Sequence, residues 1–270
     1  MLTPSIRVDK AKCTHCGACI RDCVVGLIEF DGEKIPRYVP GGAGKCVGCQ
    51  HCMAICPAGA LSFGGRDPAL STPAGYGKSE DVLQLIQSRR SVRLYKDQSL
   101  PEDALQKLVA MLPFIPTGGN RDNLHFTIVR TREKMDALRK AAYAQVMASR
   151  DASPFIASAK AAWQQGNDIV FRGATSLVAA AIDLKRTIPG CETADPIIAL
   201  SYIELYAQSL GLGTVWCDMA LTLAKTLPEV GALLEIPENY TLNYVLLLGV
   251  PAIRYRRAIQ PEMFSVKLLG

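Results

Sequence analysis

Beyond residue 78, apolar positions alternate between helical and strand-like spacing. A helical pattern begins at Ser79, where Val82, Leu85 and Ile86 share one face, and another begins at Pro101. The same spacing predicts two further helices, over residues 132–149 and 195–210. Short apolar runs predict strands over residues 125–130, 176–183 and 240–250. This order of helices and strands favours an α+β or α/β layered domain.

The composition changes sharply before this layered region. Eight of the ten cysteines lie between positions 13 and 56. A stretch rich in glycine, proline and serine follows and predicts a linker over residues 65–78. The sequence therefore predicts a cysteine-rich domain over residues 1–64 and a layered domain over residues 79–270.

The eight clustered cysteines form two copies of one motif. Cys13-x2-Cys16-x2-Cys19-x3-Cys23 is followed by Cys46-x2-Cys49-x2-Cys52-x3-Cys56-Pro57. Thiolates are soft ligands that suit iron–sulfur clusters or zinc. The short gaps let three sulfurs surround one cubane from a tight loop. Paired zinc sites or disulfides are the alternatives, but zinc motifs rarely repeat this spacing and disulfides do not suit a cytosolic chain.

The paired motifs resemble bacterial-type ferredoxin over roughly residues 5–63. The resemblance implies a ferredoxin-like domain with two [4Fe-4S] clusters and crossed ligation, in which each motif gives its fourth cysteine to the other cluster. It also implies that the fourth cysteine of each motif begins a helix. Val24 departs from the family pattern, which usually has proline there. The implied ligands are Cys13, Cys16, Cys19 and Cys56 (the first cluster site) and Cys46, Cys49, Cys52 and Cys23 (the second cluster site).

The charge and hydropathy patterns exclude several other classes of protein. The formal net charge is +5, but two oxidised clusters with their thiolates would carry about −2 each, which leaves about +1. No basic run with interleaved aromatic residues indicates nucleic-acid binding. No apolar run is long enough to cross a membrane, and no apolar signal core precedes the first motif. We therefore expect a cytoplasmic protein with no nucleic-acid or membrane partner. Cys191 and Cys217 lie outside the motifs and are predicted to be buried apolar side chains.

Short segments of the second domain carry groups that suit a flat, phosphorylated ligand. Arginines and a hydroxyl at residues 88–93 suit a phosphate ester, although a solvated basic helix end has the same composition. Glycines and an asparagine amide at residues 116–120 permit close approach to a heterocycle, although they also fit a plain turn. Residues 211–217 and the arginines after the last strand also suit such a ligand. The alternatives are an ordinary helix end for the first segment and a surface cluster of charge for the second.

Taken in this order and spacing, the segments resemble the FMN-dependent nitroreductase family over essentially all of residues 79–270. The resemblance implies an intertwined homodimer with FMN in each interface, lined by both chains. Departures from the family pattern at residues 120–124 and 171–175 lie on the substrate side, so no substrate class is carried over. The residues implied to bind FMN are Arg89, Arg90, Ser91, Arg93, Pro116, Thr117, Gly118, Asn120, Gly213, Trp216, Cys217, Arg256 and Arg257.

The same resemblance implies a role for each segment. The positions from Arg89 to Arg93 are expected to hold the phosphate, the ribityl chain and the pyrimidine edge of FMN. Asn120 is expected near the flavin ring, and the backbone after Trp216 is expected to donate toward N5. Arg257 is the best match for a second phosphate ligand, with Arg256 or Arg254 as alternatives.

These features favour an FMN-dependent oxidoreductase that collects single electrons through two [4Fe-4S] clusters and reduces a small, electron-poor organic acceptor. The electron donor is expected to be a ferredoxin-like protein or NAD(P)H, and no catalytic acid–base residue is predicted. One alternative is a non-catalytic electron carrier or redox sensor. Another is a flavin dehydrogenase that passes electrons out through the clusters.

Overall fold

The chain divides into two compact units. The computed structural model describes residues 4–262 and 264–270, so residues 1–3 of the predicted first domain lie outside the described residues. The first unit contains the described residues up to Tyr76 together with Gly119–Arg121. The second unit contains Gly77–Gly118 and Asp122–Gly270. Within the described ranges, no helix combines the length and the apolar character needed to cross a membrane.

The first unit is built from short elements around a small apolar core. β1 (Ile6–Val8) pairs with β4 (Leu61–Phe63), and β2 (Ile28–Phe30) pairs with β3 (Pro36–Tyr38), both antiparallel. Two one-turn helices, α1 (Ala18–Arg21) and α2 (His51–Ala54), contribute Cys19 and Met53 to the core. So small a core gives little stabilisation alone, and bound metal commonly supplies the rest in such units.

The second unit contains an antiparallel sheet with the strand order β5-β6-β8-β7 among the described residues. Its strands are β5 (Leu124–Val129), β6 (Ser176–Ile182), β7 (Gly213–Trp216) and β8 (Thr241–Gly249). Its helices are α3 (Ser79–Ser88), α4 (Glu102–Met111), α5 (Arg132–Ala148), α6 (Pro154–Gln164), α7 (Cys191–Ser209), α8 (Asp218–Thr226) and α9 (Pro228–Ala232).

Two helical layers cover the two faces of this sheet. Successive residues of β6 alternate between them: Leu177 packs in the core formed with α5, α6 and α8, and Val178 packs in the core formed with α4 and α7. The central strand β8 alternates in the same way, with Val245 and Leu246 on opposite faces. Because both faces are buried, these strands are continuous apolar runs in the sequence.

The expected helices and strands occur close to their predicted bounds, with two informative differences. α7 begins at Cys191 instead of residue 195, because Gly190 turns the chain with a φ of 91° and Pro196 is accommodated inside the helix. α3 forms as predicted, but its apolar residues are not buried in the chain: Val82 is 50% exposed and Ile86 is 53% exposed. The apolar face of α3 is therefore only partly covered within the described chain, where Leu85 alone of the three is partly buried.

Candidate functional site

The cysteine motifs repeat in backbone conformation as well as in sequence. In the first motif, His15 and Gly17 have positive φ angles of 55° and 69°; in the second, Gly48 and Gln50 have φ angles of 70° and 60°. A one-turn helix follows each turn and contains the third cysteine of its motif. The expectation that the fourth cysteine begins a helix is wrong, because Cys23 and Cys56 each follow a helix.

The fourth cysteines lie at the start of tight turns. The sulfur of Cys23 accepts the backbone N–H of Leu27 at 3.3 Å, and the sulfur of Cys56 accepts that of Ala60 at 3.2 Å. Backbone N–H groups directed at sulfur stabilise the thiolate form, which is the form that ligates iron. Each motif therefore presents its fourth sulfur in the same local geometry.

The four cysteines of the first cluster site line one cavity. Cys13, Cys16, Cys19 and Cys56 surround it, and its walls are completed by apolar side chains such as those of Val8 and Leu61. The backbone N–H of Ala18 lowers the pKa of Cys16. A cavity that joins three sulfurs of one motif to the last sulfur of the other fits a four-iron cubane with crossed ligation.

A buried hydroxyl marks the second cluster site. Tyr38 Oη is buried and has no hydrogen-bond partner among the described residues. Burial, followed by the adjacent Cys46 sulfur, raises the pKa of Tyr38, and Cys52 and Cys23 act in the same direction. The hydroxyl therefore remains protonated near three sulfurs of this site. An orphaned donor near these sulfurs fits a site that holds a cluster, because a sulfur acceptor would satisfy it.

In the second unit, two of the segments predicted to bind flavin lie side by side. Ser91 forms a parallel bridge with Thr214 of β7, and the backbone N–H of Val92 donates to the Thr214 carbonyl at 2.8 Å. Gly213 permits this approach, because a Cβ at that position would lie 2.7 Å from a methyl carbon of Val92. The pairing brings residues 89–93 to the exposed edge of the sheet, next to Trp216.

The segment that follows β8 joins the same group. Tyr95 forms a bridge with Pro251, and the Tyr255 hydroxyl donates to the Ser91 carbonyl at 3.4 Å. Arg256 and Arg257 come directly after Tyr255 and are exposed. Three of the predicted flavin segments are thus brought together by the fold.

The arginines of this group have free donor capacity. Arg90 Nη1 donates to the Gln87 carbonyl at 3.0 Å, whereas its buried Nη2 has no partner within the described part of the chain. The exposed Arg93 donates through Nη1 to the Ser91 carbonyl at 3.3 Å. A buried guanidinium nitrogen without an acceptor fits a site for an anionic or carbonyl-bearing ligand such as FMN.

The predicted segment at residues 116–120 is not brought to this group. The backbone N–H of Gly118 donates to the buried carboxylate of Asp195 at 3.0 Å, near the start of α7. Asn120 belongs to the first unit, where its side-chain amide donates to the Val47 carbonyl at 2.9 Å. Pro116 and Thr117 precede this turn. The loop is held at the opposite end of α7 from residues 89–93, whose contact with that helix is at Glu204.

The two cysteines outside the motifs differ in burial. Cys217 is buried as predicted, and burial raises its pKa to about 11. Its thiol donates to the Val170 carbonyl at 3.2 Å, so its side chain serves packing. The prediction for Cys191 is wrong in degree, because its side chain is only partly buried where it lies against Gly118.

Glu204 was not predicted from the sequence, yet it contacts two of the assembled segments. Its carboxylate accepts Trp216 Nε1 at 3.0 Å and lies 3.5 Å from Arg89 Nη1. The available signal was a single carboxylate within the otherwise apolar stretch of α7 that precedes Gly211. A charged residue on such a stretch indicates a buried partner.

Family models match both parts of the chain. The nitroreductase family model matches residues 86–250, and a 4Fe-4S dicluster domain model matches residues 12–60. The chain belongs to the nitroreductase family. The predicted fusion of a dicluster ferredoxin-type domain to a nitroreductase-type domain is therefore confirmed, as is the prediction of an oxidoreductase.

Curated relatives support the same assignment. A protein of Methanothermobacter thermautotrophicus, assigned only provisionally as an NADH dehydrogenase/NAD(P)H nitroreductase, is 29% identical over 64% of this chain and 78% of its own length. A protein of Archaeoglobus fulgidus with the same provisional name is 27% identical over 64% of this chain and 86% of its own length.

Solved structures share the fold of the second unit. A nitroreductase of Bacteroides fragilis with bound FMN aligns with a TM-score of 0.56 at 24% identity, covering 69% of this chain and 98% of its own. A nitroreductase of Desulfitobacterium hafniense with bound FMN aligns with a TM-score of 0.54, at the same identity and coverage. These similarities confirm the predicted nitroreductase fold.

Proposed function

We propose that this chain is an FMN-dependent oxidoreductase that collects single electrons through two [4Fe-4S] clusters and reduces a small, electron-poor organic acceptor. The observation that carries the proposal is the fusion of a 4Fe-4S dicluster domain with a nitroreductase-family domain in one chain. Four-iron clusters transfer one electron at a time, whereas flavin stores two and delivers them together. Nitroarenes, quinones and enones are the acceptor classes that suit this chemistry.

The second unit would hold FMN through residues 89–93, 213–217 and 256–257. Arg89 and the exposed Arg257 supply positive charge for the phosphate, and the unpartnered nitrogen of Arg90 supplies a donor. Arg93 would stabilise negative charge on the reduced ring, since a guanidinium close to a developing charge lowers its energy. The FMN bound to the solved relatives supports this use of the fold.

We further propose that the working form is a homodimer. Residues 116–118 lie at Asp195, roughly 13 Å from Glu204 along α7 at about 1.5 Å per residue. A partner chain could bring its own copy of this loop to the flavin. The half-exposed apolar side chains of α3 are the kind of surface that a second chain covers.

We propose a reduced ferredoxin-like protein as the natural electron donor, because the fused clusters can accept its electrons one at a time (the entry port). The names of the curated relatives favour NAD(P)H as a second donor. Cysteines without disulfide bonds, as found here, suit action in the cytoplasm.

The test uses the full chain with one cluster ligand removed from each motif. The Cys16→Ser/Cys49→Ser variant should keep its FMN, because the proposed flavin ligands are in the second unit. Its turnover with dithionite-reduced ferredoxin should fall by at least about tenfold, while turnover with a nicotinamide donor should change little. Cys191→Ser, which lies outside both motifs, is the matched control. Iron, sulfide and FMN contents are measured on the same anaerobic preparations.

Two outcomes contradict parts of the proposal. A variant that accepts ferredoxin electrons as fast as the wild type would exclude the clusters as the entry port. Wild-type protein without bound or bindable FMN would exclude flavin chemistry.

In a second candidate function, electrons flow in the opposite direction: the chain is a flavin dehydrogenase that passes electrons out through the clusters. The dehydrogenase half of the relatives' names favours it. Anaerobic reductive titration separates the two directions: clusters that reduce before the flavin would support outward flow, and a flavin that reduces first would support the leading proposal.

A further inference from the structure

Glu204 is a buried carboxylate with three donors around it. Its residue is 6% exposed, on the half of α7 that leads to β7. Oε2 accepts Trp216 Nε1 at 3.0 Å. Oε1 accepts the Thr214 hydroxyl at 3.3 Å and lies 3.5 Å from Arg89 Nη1. A buried carboxylate without such partners would be strongly unfavourable, so the arrangement fixes all three donors relative to α7.

These donors come from the two segments that already pair with each other. Arg89 directly follows α3, and Thr214 and Trp216 belong to β7. Gln208, one helical turn after Glu204, donates through its side-chain amide to the Leu85 carbonyl at 3.0 Å. α7 therefore holds both the end of α3 and the arginine that follows it.

The contact leaves part of the Arg89 guanidinium available. Glu204 contacts Nη1, and the Arg89 side chain is 38% exposed to solvent. An arginine has five N–H donors in a planar fork, so one edge can face the carboxylate while another faces an anion. Fixing the side chain in advance removes much of the rotamer entropy that binding would otherwise cost.

We propose that Glu204 is a positioning residue that fixes the Arg89 guanidinium for the phosphate ester of FMN. This inference rests on the proposed function, because it takes FMN as the ligand and Arg89 as a phosphate ligand. The contribution of Glu204 to flavin binding should therefore depend on the phosphate. Riboflavin has the same ring and ribityl chain without the phosphate, so Glu204 should not contribute to its affinity.

The experiment compares FMN and riboflavin on the full chain, stripped of flavin but retaining its clusters. Glu204→Gln keeps one carbonyl oxygen, which can accept from Trp216 Nε1, and the Thr214 hydroxyl can turn to accept from the new amide. The variant removes the charge that orients Arg89. We expect the Kd for FMN to rise by about tenfold, the value of one charge-assisted contact, and the Kd for riboflavin to stay within about twofold. Fluorescence titration measures both constants.

Two further variants separate positioning from general damage. Arg89→Gln, at a partly exposed site, should show the same loss of FMN affinity, and adding Glu204→Gln to it should cause little further loss. Asp168→Asn removes the charge from a partly buried ion pair with Arg139, whose Nε lies 2.8 Å from Asp168 Oδ2. This variant should leave the ratio of the two Kd values unchanged.

The results that overturn the inference are distinct from those that overturn the proposed function. Equal weakening of FMN and riboflavin by Glu204→Gln would assign Glu204 a purely structural role. An FMN affinity that is unchanged or higher in that variant would also overturn the inference, since it would mean that the lost negative charge outweighs positioning. Wild-type protein that binds neither flavin would contradict the proposed function itself.

Discussion

The Tyr38 hydroxyl shows how one side chain can distinguish two otherwise similar metal sites. It is buried near Cys46, Cys52 and Cys23, and it has no hydrogen-bond partner among the described residues. The corresponding cavity of the first cluster site has apolar walls from residues such as Val8. Hydrogen bonds to sulfur stabilise a reduced cluster, which carries more negative charge, and so raise its reduction potential.

Tyr38→Phe is therefore expected to make the potential of the second cluster more negative while the first stays unchanged. The aromatic ring and its packing remain, so the variant isolates the hydroxyl. Potentiometric titration followed by electron paramagnetic resonance measures both clusters, and the first cluster is an internal control. Equal shifts at both clusters, or no shift at either, would contradict the assignment.

At the scale of elements, the approach of residues 89–93 to β7 depends on the absence of a side chain at Gly213. A Cβ there would lie 2.7 Å from Cγ2 and 2.8 Å from Cβ of Val92, so one of the two segments would have to move. The bond from the Val92 N–H to the Thr214 carbonyl would be strained or lost.

Gly213→Ala is expected to destabilise the second unit by about 1–3 kcal/mol through overpacking, and to lower its FMN content. Urea denaturation and flavin quantification measure the two effects. Adding Val92→Ala creates space for the new methyl group and should recover part of both losses. If the double variant is no better than the single one, contact with Val92 is not the cause.

Much of the second unit was predictable from local patterns. β6 and β8 are buried on both faces, and a continuous apolar run reveals such strands directly. The pairing of Ser91 with Thr214 was not predictable, because it joins residues that are far apart in sequence and depends on space at Gly213. The half-exposed α3 could not be foreseen either, since its apolar spacing is the same as that of a helix buried in its own chain.

For the cysteine motifs, the clusters were predictable from the sequence but their surroundings were not. The spacing of the motifs, with the ferredoxin resemblance that it carries, predicted two four-iron clusters, and the family match confirms the dicluster domain. It did not reveal Tyr38, because the hydroxyl reaches Cys46 only once β3 is folded beside the second motif. Glu204 was missed for the same reason, since its role depends on the side chains that the fold places around its carboxylate.

At the scale of the molecule, exposed apolar side chains indicate how chains associate. Val82 and Ile86 lie on one face of α3, and the C-terminal residues Phe264 and Leu268 are about 90% exposed. A monomer rarely leaves this much apolar surface in water. Both segments are expected to be covered by a partner chain.

Ile86→Asp is expected to convert the proposed dimer to monomer and to weaken FMN binding with it, because a charge at an apolar interface loses its hydration. Light scattering coupled to size exclusion measures the mass. Gln84→Asp, on the opposite and polar side of the same helix, should leave the dimer intact. A wild-type protein that is monomeric and still binds FMN tightly would contradict this architecture.

The cavity shared by Cys13, Cys16, Cys19 and Cys56 also bears on how the clusters are assembled. Under the crossed ligation that the ferredoxin resemblance implies, neither motif completes a cubane from its own sulfurs. During synthesis the first cluster site lacks its fourth ligand until residue 56 has emerged. By then all four cysteines of the second cluster site have also been synthesised. Loading with iron should therefore be cooperative, and protein with four irons should be scarce between the empty and the eight-iron forms.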